Sequence, residues 1–272
     1  MSELSFIKMH GLGNDFVVVD GRNEDLALDS DRIRAMADRR SGIGCDQVLE
    51  ILAPTSEDAD AFMRIWNADG GQVEACGNGT RCVAAFLMSE SGSSDIVIET
   101  AAGLLKAETA GVGKIAVDMG PPHLDWQEIP LSREMDTLKL ELSYGELVSP
   151  VAVNIGNPHA VFIVNDVDKI DLDRLGPKLE IDPIFPERAN IGVAQIINSD
   201  TIRLRVWERG VGLTSACGTG ACAAVVAAIR LSLTSRSVTV KLDGGELEIE
   251  WKADDSVRMV GPVATSFMGL SL

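Results

Sequence analysis

The chain has few aromatic residues, few histidines and no pattern of paired cysteines, and each shortage argues against certain kinds of core or site. Aromatic residues make up 4% of the 272 residues and hydrophobic residues 46%, which predicts a folded protein with an aliphatic core. The five cysteines are an odd number, so we expect reduced thiols rather than structural disulfides. No two are spaced Cys-Xaa2-Cys and histidines number three, so a zinc site or a redox pair is the weaker interpretation of them.

Positive charge and long apolar runs are also scarce. The net charge of −17 disfavours nucleic acid and anionic membranes as partners, because the protein surface repels their phosphates. The longest apolar stretch, residues 221–229, is too short to span a bilayer, and residues 1–6 lack the pattern of a signal peptide. We therefore expect a cytoplasmic protein. An acidic substrate would need local positive potential from arginine or from helix N-termini.

An Ala-Cys-Gly-Xaa-Gly motif occurs twice, and each cysteine follows a tryptophan by ten residues. Cys76 and Cys217 are the two cysteines, after Trp66 and Trp207. Further segments match in the same order: residues 13–19 with 156–162, 43–47 with 191–195, 63–66 with 204–207, and 96–98 with 238–240. These matches predict an internal duplication, with residues 1–119 as the N-terminal repeat and 120–272 as the C-terminal repeat. We expect the last ten or so residues to pack back on the N-terminal half.

Each half contains several short runs rich in Val and Ile, bounded by Gly, Asp and Asn, and few helical segments. The helices are predicted over residues 31–40, with Ser30 as N-cap, and directly after the two cysteine motifs, over 80–89 and 221–231. The last is apolar nearly all round, which indicates a helix buried on every side. The predicted fold is α/β (α+β): two pseudo-symmetric repeats, each a β-sheet or barrel wrapped around a central helix, with the active-site cleft between them. Pro121-Pro122 and the aperiodic residues up to 130 predict the link between the repeats.

A cysteine at a helix start has chemical consequences. Four unpaired N–H groups and the helix dipole stabilise a thiolate, which predicts a lowered thiol pKa, and the same groups can hold a carboxylate. Two such thiols facing one site could remove a proton from one face of a carbon and return one to the other. A lone buried cysteine is usually a small hydrophobic residue, and we keep that interpretation for Cys45, Cys82 and Cys222.

Other polar residues flank apolar runs in repeat-related places. Asn14 corresponds to Asn157, and Asn67 to Glu208. The pair Glu208-Arg209 is either a surface ion pair or part of a site, and His159 is either a core histidine or a functional one. No Walker motif, no Gly-Xaa-Gly-Xaa-Xaa-Gly after a strand and no recognisable pyridoxal lysine motif is present, so these patterns do not indicate a cofactor, and we expect no metal.

These motifs together resemble the diaminopimelate epimerase family over nearly the whole chain. The matching stretches are residues 8–16 (KMHGLGNDF), 44–47 (GCDQ), 66–70 (WNADG), 74–82 (EACGNGTRC), 154–159 (NIGNPH), 185–190 (FPERAN), 207–210 (WERG) and 216–220 (ACGTG). Residues 124–144 carry no motif of the family.

The resemblance implies a cofactor-independent enzyme that interconverts LL- and meso-diaminopimelate. Cys76 and Cys217 would be the two bases, and His159 and Glu208 would tune them. The substrate would be held by Asn14, Gln47, Asn67, Gly77, Asn78, Asn157, Asn190, Glu208, Arg209, Gly218 and Thr219. The family is commonly dimeric through an aromatic residue near the C-terminus, so we expect a homodimer; Phe267 stands here in place of the expected tyrosine. A racemase acting on another amino acid and a redox sensor whose two cysteines form a reversible disulfide are the alternatives.

Overall fold

The computed structural model describes residues 4–271, which form two compact units. Residues 4–118 and 260–271 make up the first unit, and Met119–Met259 make up the second. No helix within residues 4–271 is both long and apolar enough to cross a membrane.

The first unit is a sheet around one long helix. Its elements are β1 (Leu4–Gly11), β2 (Asn14–Asp20), α1 (Ser30–Ala37), β3 (Gln47–Leu52), β4 (Ala61–Asn67), β5 (Gln72–Val73), α2 (Gly77–Ser91), β6 (Asp95–Thr100), β7 (Gly103–Thr109), β8 (Lys114–Asp118) and β19 (Ala264–Ser271). Strands β2 and β3 run parallel, as do β4 and β6, and the pairs β1–β19, β1–β2, β3–β4, β4–β5, β6–β7 and β7–β8 are antiparallel. Six strands pack on α2, namely β1, β2, β3, β6, β7 and β8.

The second unit repeats this arrangement. Its elements are β9 (Ser143–Tyr144), β10 (Leu147–Val148), β11 (Val151–Asn154), β12 (Pro158–Val164), a 3-10 turn (Val167–Lys169), α3 (Leu172–Glu180), β13 (Asn190–Asn198), β14 (Thr201–Glu208), β15 (Gly212–Thr214), α4 (Gly218–Arg230), β16 (Ser237–Leu242) and β17 (Gly245–Trp251); β18 (Val257–Pro262) runs across the boundary between the units. Parallel pairing joins β12 to β13 and β14 to β16, and the pairs β11–β12, β13–β14, β14–β15 and β16–β17 are antiparallel. Strands β11, β12, β13, β14, β16 and β17 pack on α4.

The predicted mixed α/β fold with a central helix in each repeat is confirmed. The prediction of a helix buried on every side is also confirmed, because every residue from Gly218 to Ala228 in α4 is buried. Alanine and valine dominate this helix because six strands approach it closely and leave no room for longer side chains.

The register of the strands corrects one part of the repeat alignment. Phe16 pairs with Gln47 across β2 and β3, and His159 pairs with Asn190 across β12 and β13. Since Asn14 and Asn157 precede Phe16 and His159 by two residues, Gln47 corresponds to Asn190 and not to Gln195. The alignment of residues 43–47 with 191–195 rested on the shared Ile-Gly and Gln, and it placed the counterpart of Gln47 five positions too far along the chain.

One further expectation is wrong, and one helix was missed. The N-cap of α1 is Asp29, whose side chain accepts a hydrogen bond from the Arg32 N–H at 2.8 Å, rather than Ser30. Helix α3 was not predicted, because Gly176-Pro177 is usually a helix breaker. The helix survives because Asp171 caps it and because the missing Cβ of Gly176 leaves room for the Trp207 ring; a Cβ there would lie 2.4 Å from it.

Residues 120–150 are not a plain linker. His123 forms a β-bridge with Asn154, and the side chains of Ile129, Leu131, Leu140, Leu142 and Leu147 are buried in the core of the second unit. The apolar spacing in this stretch follows neither a helical nor a strand period, so it gave no signal of a folded segment.

Candidate active site

Cys76 is the N-cap of α2. Its sulfur accepts a hydrogen bond from the Gly79 N–H at 3.4 Å, and its carbonyl accepts one from the Thr80 N–H at 2.8 Å. Gly77 and Asn78 therefore occupy the first turn, where N–H groups point out of the helix end. The sequence predicted that helices begin at the two cysteine motifs, and this is confirmed for α2 by its start at Gly77.

Asn14 lies close to this helix start. Leu12 and Gly13, both with positive φ, make the two-residue turn between β1 and β2, and Asn14 opens β2 directly after it. Its side-chain oxygen accepts a hydrogen bond from Asn78 Nδ2 at 3.2 Å, and its Nδ2 donates to Asp46 at 2.9 Å. The fold thus brings Asn14 and Asn78 together at the end of α2.

Gln47 and Asn67 form a second pair in the first unit. They lie opposite each other on β3 and β4, and Gln47 Nε2 donates to Asn67 Oδ1 at 2.9 Å. The side-chain oxygen of Gln47, Oε1, is buried and has no hydrogen-bond partner within residues 4–271. A buried acceptor without a partner is costly, so this atom is suited to receive a donor from a ligand.

Cys217 is the N-cap of α4 and repeats the geometry of Cys76. Its sulfur accepts the Gly220 N–H at 3.3 Å and lies 3.6 Å from the Thr219 hydroxyl. The residue is 3% exposed, whereas Cys76 is half-buried. Gly218 and Thr219 fill the first turn of α4, as Gly77 and Asn78 fill that of α2.

The pKa of the Cys217 thiol moves opposite to the direction expected from its place on a helix. Burial raises the pKa well above its usual value, and the carboxylate of Glu208 raises it further. The hydrogen bonds from Thr219 and from the Gly220 N–H lower it by less. Cys217 is therefore a thiol at neutral pH, because desolvation of a thiolate outweighs the helix end.

Glu208 is held beside this sulfur by a residue that the sequence did not single out. Thr214 Oγ1 donates to Glu208 Oε1 at 2.5 Å across the hairpin of β14 and β15. The candidate site residues Glu208 and Arg209 are the last residue of β14 and the first residue of the turn that follows it. No sequence signal marked Thr214, because it lies six residues from its partner along the chain.

His159 is fully buried on β12, and its ring is neutral. Burial, together with the positive charge of Arg209, lowers the pKa of His159 to about 3. The distance from Nε2 to the Asn157 side-chain oxygen is 2.8 Å, so Nε2 carries the proton and donates it. The other ring nitrogen, Nδ1, is buried without a partner in the described chain and is an acceptor.

Asn190 and Arg209 are linked through the backbone. Asn190 Oδ1 accepts the Arg209 N–H at 2.9 Å, and its Nδ2 donates to the Pro158 carbonyl at 2.9 Å. The Arg209 guanidinium is exposed and donates to the Glu187 carbonyl at 3.0 Å. Asn190 thus sets the path of the turn, and Arg209 projects from it as a cation.

Within residues 4–271, no group of three or more His, Cys, Asp or Glu side chains is arranged to hold a metal ion. The polar groups in both units are instead helix N–H groups and hydroxyls, which can donate to a carboxylate, and side-chain amide oxygens, which can accept from an ammonium group.

Comparison with known proteins decides the family. The family model described as diaminopimelate epimerase matches residues 6–124 and 151–265. The chain belongs to the diaminopimelate epimerase family. The internal gap in the match, residues 125–150, includes most of the segment in which the sequence carried no family motif.

Relatives named diaminopimelate epimerase align over almost their full length. One from Rhodospirillum centenum is 52% identical over 264 residues, 97% of this chain and 91% of the relative. Another from Erythrobacter litoralis is 54% identical over 267 residues, 98% of this chain and 96% of the relative. Membership of this family makes the chain an isomerase of the epimerase type.

Solved structures share the fold at low identity. A hydroxyproline epimerase from Agrobacterium vitis aligns with a TM-score of 0.73 and 16% identity over 100% of this chain and 91% of that one. A predicted epimerase from Pseudomonas aeruginosa aligns with a TM-score of 0.71 and 18% identity over 99% of each chain. The two-unit diaminopimelate epimerase fold therefore extends to proteins with little sequence in common.

Proposed function

We propose that this member of the diaminopimelate epimerase family interconverts LL- and meso-diaminopimelate without a cofactor, with Cys76 and Cys217 as the two bases. The observation that carries the proposal is the pair of cysteine sulfurs, each capping the central helix of its own repeat and each held by the N–H of the third helical residue. Two equivalent sulfur atoms suit a reaction that removes the α-proton from one face of the carbon in one direction and from the opposite face in the other.

In the proposed reaction, the Cys76 thiolate removes the α-proton and becomes a thiol. The electron pair of the broken C–H bond stays on the substrate as a carbanion, and the Cys217 thiol gives its proton to the opposite face and becomes a thiolate. The reverse direction exchanges the two roles. The raised pKa of Cys217 supports its assignment as the proton donor, since it holds its proton at neutral pH.

The carbanion needs stabilisation, because without a cofactor there is no electron sink. We assign this to the N–H groups of Gly77, Asn78, Gly218 and Thr219, which stand at two helix N-termini and suit the substrate's α-carboxylate. Neutral His159 and the Glu208 carboxylate tune the thiols. Asn14, Gln47, Asn67, Asn157 and Asn190 position the substrate or the loops that hold it.

Arg209 favours a substrate with a second carboxylate. Its guanidinium is exposed at a turn and can bind a distal carboxylate with two parallel hydrogen bonds. A substrate with one carboxylate leaves this cation without its partner, which argues against a racemase of a simple amino acid. A panel of amino acids tested beside diaminopimelate distinguishes the two.

The deciding experiment follows deuterium incorporation at the α-carbon of diaminopimelate in D2O, after the enzyme has been treated with a pyridoxal scavenger. We expect full exchange and epimerisation by the untreated and treated protein alike. Cys76→Ala and Cys217→Ala should each lower epimerisation by at least about 10²-fold, because each removes one acid–base group.

Cys82→Ala and Cys222→Ala are the matched controls, since these thiols lie in the same two helices, within two turns of Cys76 and Cys217, and are fully buried. Equal loss in all four variants would indicate a packing effect rather than acid–base chemistry. A wild-type protein that neither exchanges nor epimerises diaminopimelate removes the proposal. Redox-dependent binding to a partner protein without turnover would support the sensor alternative instead.

We also propose that the enzyme acts as a homodimer in the cytoplasm. Phe267, Met268 and Leu270 on β19 are 50%, 73% and 61% exposed, which is unusual for three large apolar side chains within four residues. The ring of Phe267 packs edge-on against that of Phe6, with the ring centroids 6.0 Å apart. An apolar cavity of about 440 Å³, lined in part by Phe6, Met268 and Leu270, lies beside this surface. A second copy of the chain would cover it, and a reducing compartment would keep the two thiols active.

A further inference from the structure

Glu180 ends α3 with a carboxylate that is almost completely buried. The side chain is 9% exposed, and each of its two oxygens accepts a hydrogen bond. Oε2 accepts the indole N–H of Trp207 at 2.8 Å, and Oε1 accepts the backbone N–H of Gly210 at 3.0 Å. The guanidinium of Arg188 lies 3.5 Å from Oε1 and offsets the buried charge.

The two residues that Glu180 holds lie on either side of Glu208-Arg209. Trp207 precedes this dipeptide and Gly210 follows it, and the turn is closed by the Val211 N–H donating to the Glu208 carbonyl at 3.1 Å. One carboxylate therefore fixes the chain at the entry and at the exit of the dipeptide. The directions of the Glu208 and Arg209 side chains follow from the position of this short segment.

The helix that carries Glu180 is fitted to the same segment. α3 packs against β14 and β15, the two strands joined by the turn, and Gly176 lies directly against the Trp207 ring. The Ala189 N–H donates to the Glu180 carbonyl at 3.2 Å, so the loop whose Glu187 carbonyl receives the Arg209 guanidinium is also tied to Glu180. Glu180 thus connects the turn, the tryptophan and the loop that orients Arg209.

The first unit shows what is special about this arrangement. Trp66 donates its indole N–H to buried Glu50 at 3.2 Å, and Arg64 contacts the same carboxylate oxygen at 3.1 Å. The turn after Trp66 is closed by backbone bonds, from the Asn67 N–H to Gly71 and from the Gly70 N–H to Asn67. Both units have a carboxylate that binds the tryptophan, but in the second unit the carboxylate binds the turn as well.

We propose that Glu180 is a positioning residue that sets the direction of Glu208 and Arg209, and through them the affinity for a substrate with a distal carboxylate and the proton affinity of Cys217. The proposal rests on the function proposed above. The Glu180 carboxylate binds Trp207 and Gly210, so we infer that it acts through the turn and not directly on the reacting atoms. Glu208 is the charged group that raises the pKa of Cys217, so displacement of the turn reaches the reacting sulfur.

Glu180→Gln is the test variant, because it keeps the shape of the side chain and removes one acceptor. A glutamine amide has one oxygen, so it can accept from Trp207 or from Gly210 but not from both, and its NH2 group must face the other donor. We expect KM for diaminopimelate to rise by roughly tenfold or more, since a hydrogen bond to a charged group is lost. We also expect the alkaline limb of the pH profile of kcat/KM to move to lower pH, because Cys217 loses part of the Glu208 field.

Glu50→Gln is the matched control. It removes an equivalent carboxylate from an equivalent tryptophan, and we expect KM and the pH profile of the wild type, with any loss confined to the melting temperature. If Glu180→Gln also loses only melting temperature, with KM and pH profile unchanged, Glu180 is structural and the proposal is wrong. Inactivity of the wild type in the same assay would instead remove the proposed function.

Trp207→Phe serves if Glu180→Gln does not fold. It keeps the ring and the packing on Gly176 but removes the indole donor, so one of the two anchors of the turn is lost. We expect a smaller rise in KM, of roughly threefold to tenfold, with an unchanged circular dichroism spectrum. An unchanged KM in a folded Trp207→Phe protein overturns the proposal.

Discussion

The third residues of α2 and α4, Gly79 and Gly220, offer a direct test of how closely each sulfur is packed. A Cβ added at Gly220 would lie 3.1 Å from the Cys217 sulfur and 3.0 Å from Val206 Cγ2. A Cβ added at Gly79 would lie 3.4 Å from the Cys76 sulfur and 3.1 Å from two methyl groups of Leu49. Because ordinary contact begins at 3.4 Å, the Cys217 sulfur must move by about 0.3 Å in Gly220→Ala, whereas the Cys76 sulfur need not move in Gly79→Ala.

The expected effect on activity follows from that displacement. A misplacement of about 1 Å at a reacting group costs about 10²-fold in rate, so about 0.3 Å corresponds to roughly fourfold. Overpacking costs about 1–3 kcal/mol in stability, and alanine in place of glycine within a helix returns up to about 1 kcal/mol. We therefore expect Gly220→Ala to lose roughly fourfold in kcat and up to about 2 kcal/mol in stability. Gly79→Ala should keep kcat close to that of the wild type.

Initial rates of epimerisation in both directions, with deuterium wash-in at the α-carbon, measure the first quantity, and urea unfolding of the same preparations measures the second. Gly79→Ala is a matched control for Gly220→Ala, because both glycines hold the same place in their repeats and donate the N–H that binds the cysteine sulfur. Equal losses of kcat in the two variants, or a larger loss in Gly79→Ala, would refute the reasoning from contact distances.

Three other predictions concern pH, the hairpin and the exposed strand. The pKa of His159 is about 3 in the folded protein against about 6.5 when unfolded, so the unfolded state binds more protons below pH 6.5. The free energy of unfolding should therefore fall as pH drops from about 6.5 towards 3, by about 1.4 kcal/mol per pH unit. In His159→Gln, the urea midpoint should fall less over the same pH range, because this histidine no longer contributes. Thr214→Val should lower kcat/KM by roughly tenfold because Glu208 loses its hydroxyl donor, whereas Thr214→Ser should not; a value unchanged in the valine variant contradicts this. Phe267→Asp should abolish the proposed homodimer in sedimentation experiments, because it places a charge on the exposed apolar face of β19, and a monomeric wild type would contradict the proposal.

The features that could be predicted from the sequence are local or repeated. Both helices that begin at cysteines were predicted, because a glycine-rich start next to an apolar run marks a helix end within a few residues. The duplication followed from matching motifs in constant order. Asn14 and Asn157 were matched correctly because both stand where corresponding strands start, Asn14 as the first residue of β2 and Asn157 directly before β12.

The features that could not be predicted depend on residues far apart in the chain. Glu180 is 27 residues from Trp207, and Asp46 is 32 residues from Asn14, so no spacing rule connects them. The folded segment of residues 120–150 was also missed, since its leucines and isoleucines are buried by residues of other elements and follow no period of their own. Strand register alone corrected the partner of Gln47, because identical letters five positions away gave a better match than the true counterpart.

The sequence by itself determined where the two thiols lie along the chain, which helix each one caps and to which family the motifs belong, since these depend on neighbours within a few residues. Only the tertiary structure decided the proton affinity of Cys217, the neutral state of His159 and the anchoring of the Glu208-Arg209 turn by Glu180. The physical reason is that solvent exclusion and long-range charge are properties of the folded surroundings, and they outweigh what the local backbone contributes.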